Sequence, residues 1–345
     1  YQGACLEGLD MRKAALEAYD YAEIYNSDGE ATPHAQLGRM RILYREGRND
    51  ELKQVGSVLG ANTTATDSLK HHAYYLMGEA FLKTEMYYYA IQSLGAVPEI
   101  HPDYAFAQHS LAVAHLLNNN AADKAVSALE GSVEAVANTL AAKEVINRSY
   151  VLFGYLFYEE NALAKAKAAL DRVPVESFYY EDALLGLCWT AQKAYQVKDC
   201  MYYGQLLANK SSNPLLRSEG MLIQAYGLIL DKSFDQASTI LQAALNLLGK
   251  HEDLTHEELE QRRAIYDSTR QTYNQMADEL VDLAQKGEQA QRIKQTDSLH
   301  LVQEKTREGL DAHTRFEDTV RRSQLFGKNA ANLREDIEYA LATVQ

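Results

Sequence analysis

HHAYYLMGEAFLKTEMYYYAIQSLGAVPEIHP, residues His71–Pro102, carries the pattern on which the fold turns. Its three consecutive tyrosines, Tyr87–Tyr89, cannot share a helix face, because successive helical residues diverge by about 100°. In a strand, the small residues Gly78 and Ala90 would have no purpose. Tyr74, Met77, Gly78 and Phe81 instead place large, large, small and large side chains on one stripe at helical period. Gly78 and Ala90 let two antiparallel helices approach, and Pro102 ends the unit. Tyr87 is then expected to pack at the start of a second helix. Tyr88 and Tyr89 flank it, one toward a neighbouring hairpin and one toward water.

The same frame recurs along the chain. Tyr150, Phe153, Gly154, Phe157, Ala166 and Leu170 repeat it, as do Met221, Ala225, Leu228, Phe234, Ala237 and Leu241. Weaker copies lie between: Leu111, Ala112 and His115 lead into Ala125 and Leu129, with one residue extra near Asn118–Asn120. Cys188, Ala191, Tyr195, Met201 and Gly204 form another. A recurring unit of this length is the signature of stacked helical hairpins. Leu9–Ile24 and His34–Leu59 have helical periodicity without a clean match, and Gly60–Asp67 reads as a polar loop.

The repeated positions resemble the tetratricopeptide pattern W-x2-L-G-x2-Y, then Ala, then an aromatic or Leu, then Pro, over roughly residues 68–248. The resemblance implies an all-α solenoid of tetratricopeptide-like hairpins, with an N-terminal capping pair over 1–67, the repeats over 68–250 and long helices over 251–345. In that family the first helix of each hairpin lines a concave groove that takes another protein. Carried onto this chain, the groove face comprises His72, Tyr75, Glu79 and Leu82 in one repeat, and Arg148, Val151, Tyr155 and Tyr158 in another. Glu219, Leu222, Tyr226 and Ile229 belong to a third. The weaker copies add Phe106, His109, Trp189 and Lys193. Tyr, Trp and Arg are frequent interface anchors, though a stripe at helical spacing also fills space between hairpins. A carboxylate clamp of Lys and Arg, found in chaperone-binding members, is not evident.

Composition narrows the function classes. A chain of 345 residues that is 46% hydrophobic can bury a sizeable core, and 5 Pro with 19 Gly favours helix throughout. The formal charge of −14 opposes nucleic acid and anionic lipid as partners. The longest apolar stretch, Tyr150–Tyr158, is about half the ~20 residues of a membrane span. Cys5, Cys188 and Cys200 exclude a disulfide framework. On the hairpin reading, Cys188 and Cys200 are axially offset by roughly 9 Å, too far to bridge. His251 and His256 diverge by about 140° on a helix, which rules out a shared metal of the H-x3-H type. No phosphate loop, nucleophile elbow or dinucleotide fingerprint occurs. No cofactor, metal or catalytic role is therefore expected. QGAC at Gln2–Cys5 reads as a helix start rather than a lipoprotein cleavage site. The chain is expected to be soluble, either cytoplasmic or periplasmic.

Beyond Gly249 the sequence becomes charge-rich. Ile265, Thr269, Thr272, Met276, Leu280 and Leu283 make a thin apolar seam, and Ala330, Leu333, Ile337, Ala340 and Val344 keep 3-4 spacing. Residues 254–345 are expected to be long helices, interrupted near Gly327–Asn329, that fold back or pair between chains. The expected function is a non-enzymatic scaffold binding a partner polypeptide. The alternative is a spacer subunit that self-associates through 254–345.

Overall fold

The structure, a computed structural model, describes residues 1–25, 29–119, 121–249 and 330–344, with 264 and 268 as isolated helical positions. Among the described residues all regular structure is α-helix, and the hairpin repeats fall where the sequence places them. His251, His256, the seam from Ile265 to Leu283 and the break near Gly327 lie outside the described residues. The chain divides into two compact units that part between Ala121 and Ala122, inside the 68–250 stretch. In the first unit are α1 (Gln2–Gly8), α2 (Arg12–Tyr25), α3 (Ala31–Arg45), α4 (Asn49–Ala61), α5 (Asp67–Lys83), α6 (Tyr87–Gly95) and α7 (Tyr104–Asn119). In the second are α8 (Ala122–Glu134), α9 (Leu140–Glu159), α10 (Leu163–Leu170), α11 (Tyr180–Lys193), α12 (Val197–Lys210), α13 (Pro214–Leu230), α14 (Phe234–Gly249) and α15 (residues 330–344).

Local signals set the helix starts. Thr66, Thr139 and Asn213 each accept a hydrogen bond from a first-turn N–H of α5, α9 and α13, and Pro214 occupies the first turn of α13. The hairpin turns share one device. Asp10, Gly47, Glu85, Asn161, Tyr195 and Lys232 all adopt positive φ, between 53° and 70°. In each turn the following N–H reaches back five residues: Met11 to Leu6 O, Arg48 to Leu43 O, Met86 to Phe81 O, Ala162 to Phe157 O, Gln196 to Ala191 O and Ser233 to Leu228 O, all at 2.7–2.9 Å. This is the Schellman closure, which satisfies carbonyls that a helix end otherwise leaves open. The stretch 34–59 is accordingly two helices broken at Gly47. The periodic stretch from Leu9 is shortened, its helix starting at Arg12 after the turn at Asp10.

In three hairpins the position seven residues before the turn interlocks with the one sixteen later. A Cβ on Gly78 would meet Leu94 Cγ at 2.5 Å, and one on Gly154 would meet Leu170 Cγ at 2.3 Å. Gly3 meets the Tyr19 ring in the same way, at 2.5 Å. At Met40 and Gly56 the sizes are reversed: a Cβ on Gly56 would lie 2.9 Å from the Met40 methyl and, nearer still, 2.5 Å from Met77 Cγ on α5. Ala225 and Leu241, at the same spacing, are both fully buried in one cluster. Cys188 and Gly204 also keep the spacing, and there Gly204 faces α13: its missing side chain leaves room for Gly220 O and Gln224 N at 2.6 Å. Cys188 and Cys200 are free thiols, both fully buried in one core cluster.

Each helix packs on the next in its unit, and odd-numbered helices also touch their odd neighbours: α1 with α3, α3 with α5, α5 with α7, α9 with α11, and α11 with α13. No two even-numbered helices touch among the described residues. Within each unit the hairpins thus form two layers, with the odd layer the closely packed one. Tyr87 is half-buried at the start of α6. Tyr88 and Tyr89 are 62% and 52% exposed, Tyr89 resting on Phe81 of its own hairpin, so neither turns to a neighbour as expected. Phe234, the counterpart of Tyr87 at the start of α14, is 46% exposed. No described helix is long and apolar enough to cross a membrane.

α15 folds back onto the second unit. Leu333, Ile337 and Ala340, the predicted 3-4 stripe, are buried in one cluster with Leu222, Ala225, Leu228, Leu241 and Leu248, while Ala330 and Val344 pack at its edge.

The interlock predicts non-additive energetics. Gly154→Ala should cost about 1–3 kcal/mol by overpacking, and Leu170→Ala about 2–5 kcal/mol by leaving a cavity. The double substitution should cost at least about 1 kcal/mol less than their sum, read from urea unfolding of the full chain. Strict additivity would show that the two side chains do not meet.

Candidate partner-binding face

The predicted groove residues all lie on odd helices, and the structure shows what most of them touch: the next odd helix. In the first unit Tyr44 Oη on α3 donates to Glu79 Oε2 on α5 at 3.3 Å, with Lys83 Nζ 3.9 Å from the centre of the Tyr44 ring. Tyr75 on α5 packs at 6.2 Å, ring to ring, against Phe106 on α7. His72 Nδ1 lies 2.5 Å from Asp103 Oδ2 at the entry to α7. Nearby, His101 Nδ1 accepts from the Asp103 N–H at 3.2 Å, leaving Nε2 to donate to Ser68 O at 3.2 Å. That pattern requires a neutral ring, and burial holds the His101 pKa below its ordinary value. His109 is 4% exposed and belongs to the core side of α7, not to a groove.

The second unit repeats the arrangement. Tyr155 Oη on α9 donates to Asp182 O on α11 at 2.9 Å, and one hairpin later Trp189 Nε1 on α11 donates to Glu219 Oε1 on α13 at 2.9 Å. Tyr155 and Trp189 each follow the interlocking position of their hairpin, and their acceptors stand at matching positions of the next. Lys193 Nζ ties α11 back to α9, donating to Tyr158 O at 2.8 Å while lying 4.2 Å from the centre of that ring. Arg148 is exposed, with its guanidinium 5.9 Å from the Tyr179 ring. These rungs sit in a desolvated setting. Burial first, then neighbouring carboxylates, pushes the Tyr75 and Tyr155 phenols well above their ordinary value. Burial likewise raises Asp182 and Glu219, the latter against the opposing effect of its Trp189 hydrogen bond.

Two more predicted groove residues are corrected outright. Val151 is 6% exposed and Leu222 is 1% exposed; both are core side chains, because their helix face meets the neighbouring hairpins. Leu82 and Ile229 are half-buried at the margins of their clusters. Tyr226 and Ile229 pack in the cluster that holds α15, and Asp336 acts electrostatically on both Tyr226 and Glu219.

The sequence reading also missed the first rungs. Arg41, next to Met40 as Tyr155 is next to Gly154, makes a two-pronged pair with Glu7 on α1: Nε to Oε1 at 2.8 Å and Nη2 to Oε2 at 2.6 Å. Tyr19 Oη adds a 2.8 Å bond to Glu7 Oε2. Burial alone would raise the Glu7 pKa, yet these donors hold it below the ordinary value, and the Tyr19 phenol is pushed up to about 12. Placing Met40 in register with Gly78 would have found Arg41, and Tyr44 with it as the counterpart of Leu82.

No protein-family model and no curated protein matches this sequence. A solved structure to which it is similar is that of the APC/C hetero-tetramer Cut9-Hcn1, with a TM-score of 0.39 and 14% sequence identity over 94% of this chain and 52% of that one. The chain spans about half the length of that protein, and the helix pairing described above stands independently of the likeness.

Trp189, the single tryptophan, reports on its own rung. A carboxyl with a raised folded pKa keeps its proton at pH values where the unfolded chain has lost it. Glu219 therefore opposes folding at neutral pH, and the penalty is relieved as pH falls through its raised titration. Trp189 emission should titrate with a midpoint above 4.5, the ordinary carboxyl value, and Glu219→Gln should abolish that step. A midpoint at or below 4.5 would contradict the burial of this carboxylate.

Proposed function

We propose that the chain is a non-enzymatic scaffold that binds a partner polypeptide on the odd-helix layers of its units. The observation that carries this reading is the register of half-buried aromatic and charged rungs: Tyr44, Glu79 and Tyr75 in one unit, Tyr155 and Trp189 in the other, with Tyr226 beneath α15. Their inner edges join hairpins, and their outer edges give a partner a row of rigid, amphipathic contacts. Exposed Arg148 adds a polar contact. His72, Leu82, Tyr158 and Lys193 complete the proposed face.

Because the rungs also hold hairpins together, the test must use residues whose loss leaves the stack intact. Arg148→Glu in the full chain should reduce capture of a partner polypeptide at least fivefold in affinity purification with quantitative mass spectrometry, at unchanged helical content. Tyr88→Ala, an exposed change on the even layer, should leave capture unaltered. Loss of capture with Tyr88→Ala but not Arg148→Glu would move binding to the other layer.

A further inference from the structure

α15 is held by one narrow apolar stripe. Of its fifteen residues, only Leu333, Ile337 and Ala340 are buried, a 3-4 stripe at i, i+4 and i+7, while most of the rest face outward. It lies where another odd helix would follow α13, with Arg334 3.8 Å from where a Cβ on Gly249 would stand, at the C-terminal end of α14. That cation suits the negative end of the α14 dipole. The neighbouring acidic residue does not suit: Asp336 is exposed beside the buried stripe and acts electrostatically on the half-buried Glu219 and Tyr226 of α13. A like charge opposite a carboxylate already committed to Trp189 weakens the seat. As part of the same chain, α15 competes at a high local concentration that a free helix must overcome.

We propose that the α13–α14 end is a helix-accepting slot, that α15 is its resident occupant, and that a partner helix with apolar residues at i, i+4 and i+7 and a basic residue at i+3 displaces it. The basic residue would stand where Asp336 now stands and pair with Glu219. Displacement uncovers Leu222, Tyr226 and Ile229, so the slot extends the odd-layer face of the scaffold reading on which this inference rests. The partner class is an amphipathic helix recognised by helix-in-groove packing.

The test uses two fluorescein-labelled peptides spanning residues 328–345, one of native sequence and one carrying D336K, with Trp189 emission and peptide anisotropy as readouts. On the full chain carrying Ile337→Asp, which releases the resident helix, both peptides should bind, D336K on the order of tenfold more tightly. On the unaltered chain the D336K peptide should bind at least tenfold more weakly than on the released one, because α15 competes. Should Ile337→Asp impair folding, hydrogen exchange of residues 330–344 in the unaltered chain gives the answer: saturation with the D336K peptide should accelerate it. Equal binding of the two peptides, or exchange at 330–344 that saturation leaves unchanged, would overturn the proposal. Because both peptides are defined, that result is distinguishable from a failure of Arg148→Glu to affect partner capture.

Discussion

The contact that the rest of this structure depends on is the interlock of a small residue on one helix with a large one on its partner. Two helices can close to backbone distance only where a side chain is missing, and the large residue opposite then fills the space. Gly78 with Leu94 and Gly154 with Leu170 show the arrangement in one sense, Met40 with Gly56 in the other. The Schellman turn sets the register, since it fixes the residue seven positions after the interlock in the left-handed conformation. Leu170 does more: it reaches past its own hairpin to Gly186 on α11, so one side chain closes a hairpin and seats the next.

From that spacing follows the odd layer. Once the hairpins are closed, the residue after the interlock points at the neighbouring odd helix, and the chain places there groups that can reach across: Arg41, Glu79, Tyr155, Trp189 and Tyr226. Several of the bonds they make are buried enough that a missing partner would be costly. On the proposed scaffold reading, Tyr155 and Trp189 would offer their outer edges to a partner, which would then sense the spacing of the hairpins. Binding and stack geometry are therefore expected to be coupled.

The repeats were legible because their signal is local: a small residue, a large one and a turn at fixed offsets. The first two hairpins escaped because Gly3 is paired with a tyrosine where later hairpins carry leucine, and Met40 with a glycine, an inversion of size; a pattern of residue types does not recognise either, but packing does. The candidate face was legible as a set of positions, and its direction was not. Helical period fixes which residues share a face; whether that face meets solvent or the next hairpin is decided by a helix far along the chain, which is why Val151 and Leu222 proved to be core. The stripe at Leu333, Ile337 and Ala340 was correctly read as helical, while its seat on α13 and α14 rests on contacts between positions a hundred residues apart, which periodicity does not encode.

The account stands or falls on the interlock, and proton nuclear Overhauser effects measure it directly. With the leucine methyls labelled in an otherwise deuterated chain carrying protonated glycine, strong effects are predicted from the Hα protons of Gly78 to the methyls of Leu94, and from those of Gly154 to the methyls of Leu170. Gly186 should show a contact to the same Leu170 methyls. Their absence, or effects from these glycines to leucines of other hairpins, would contradict the fold and every inference built on it.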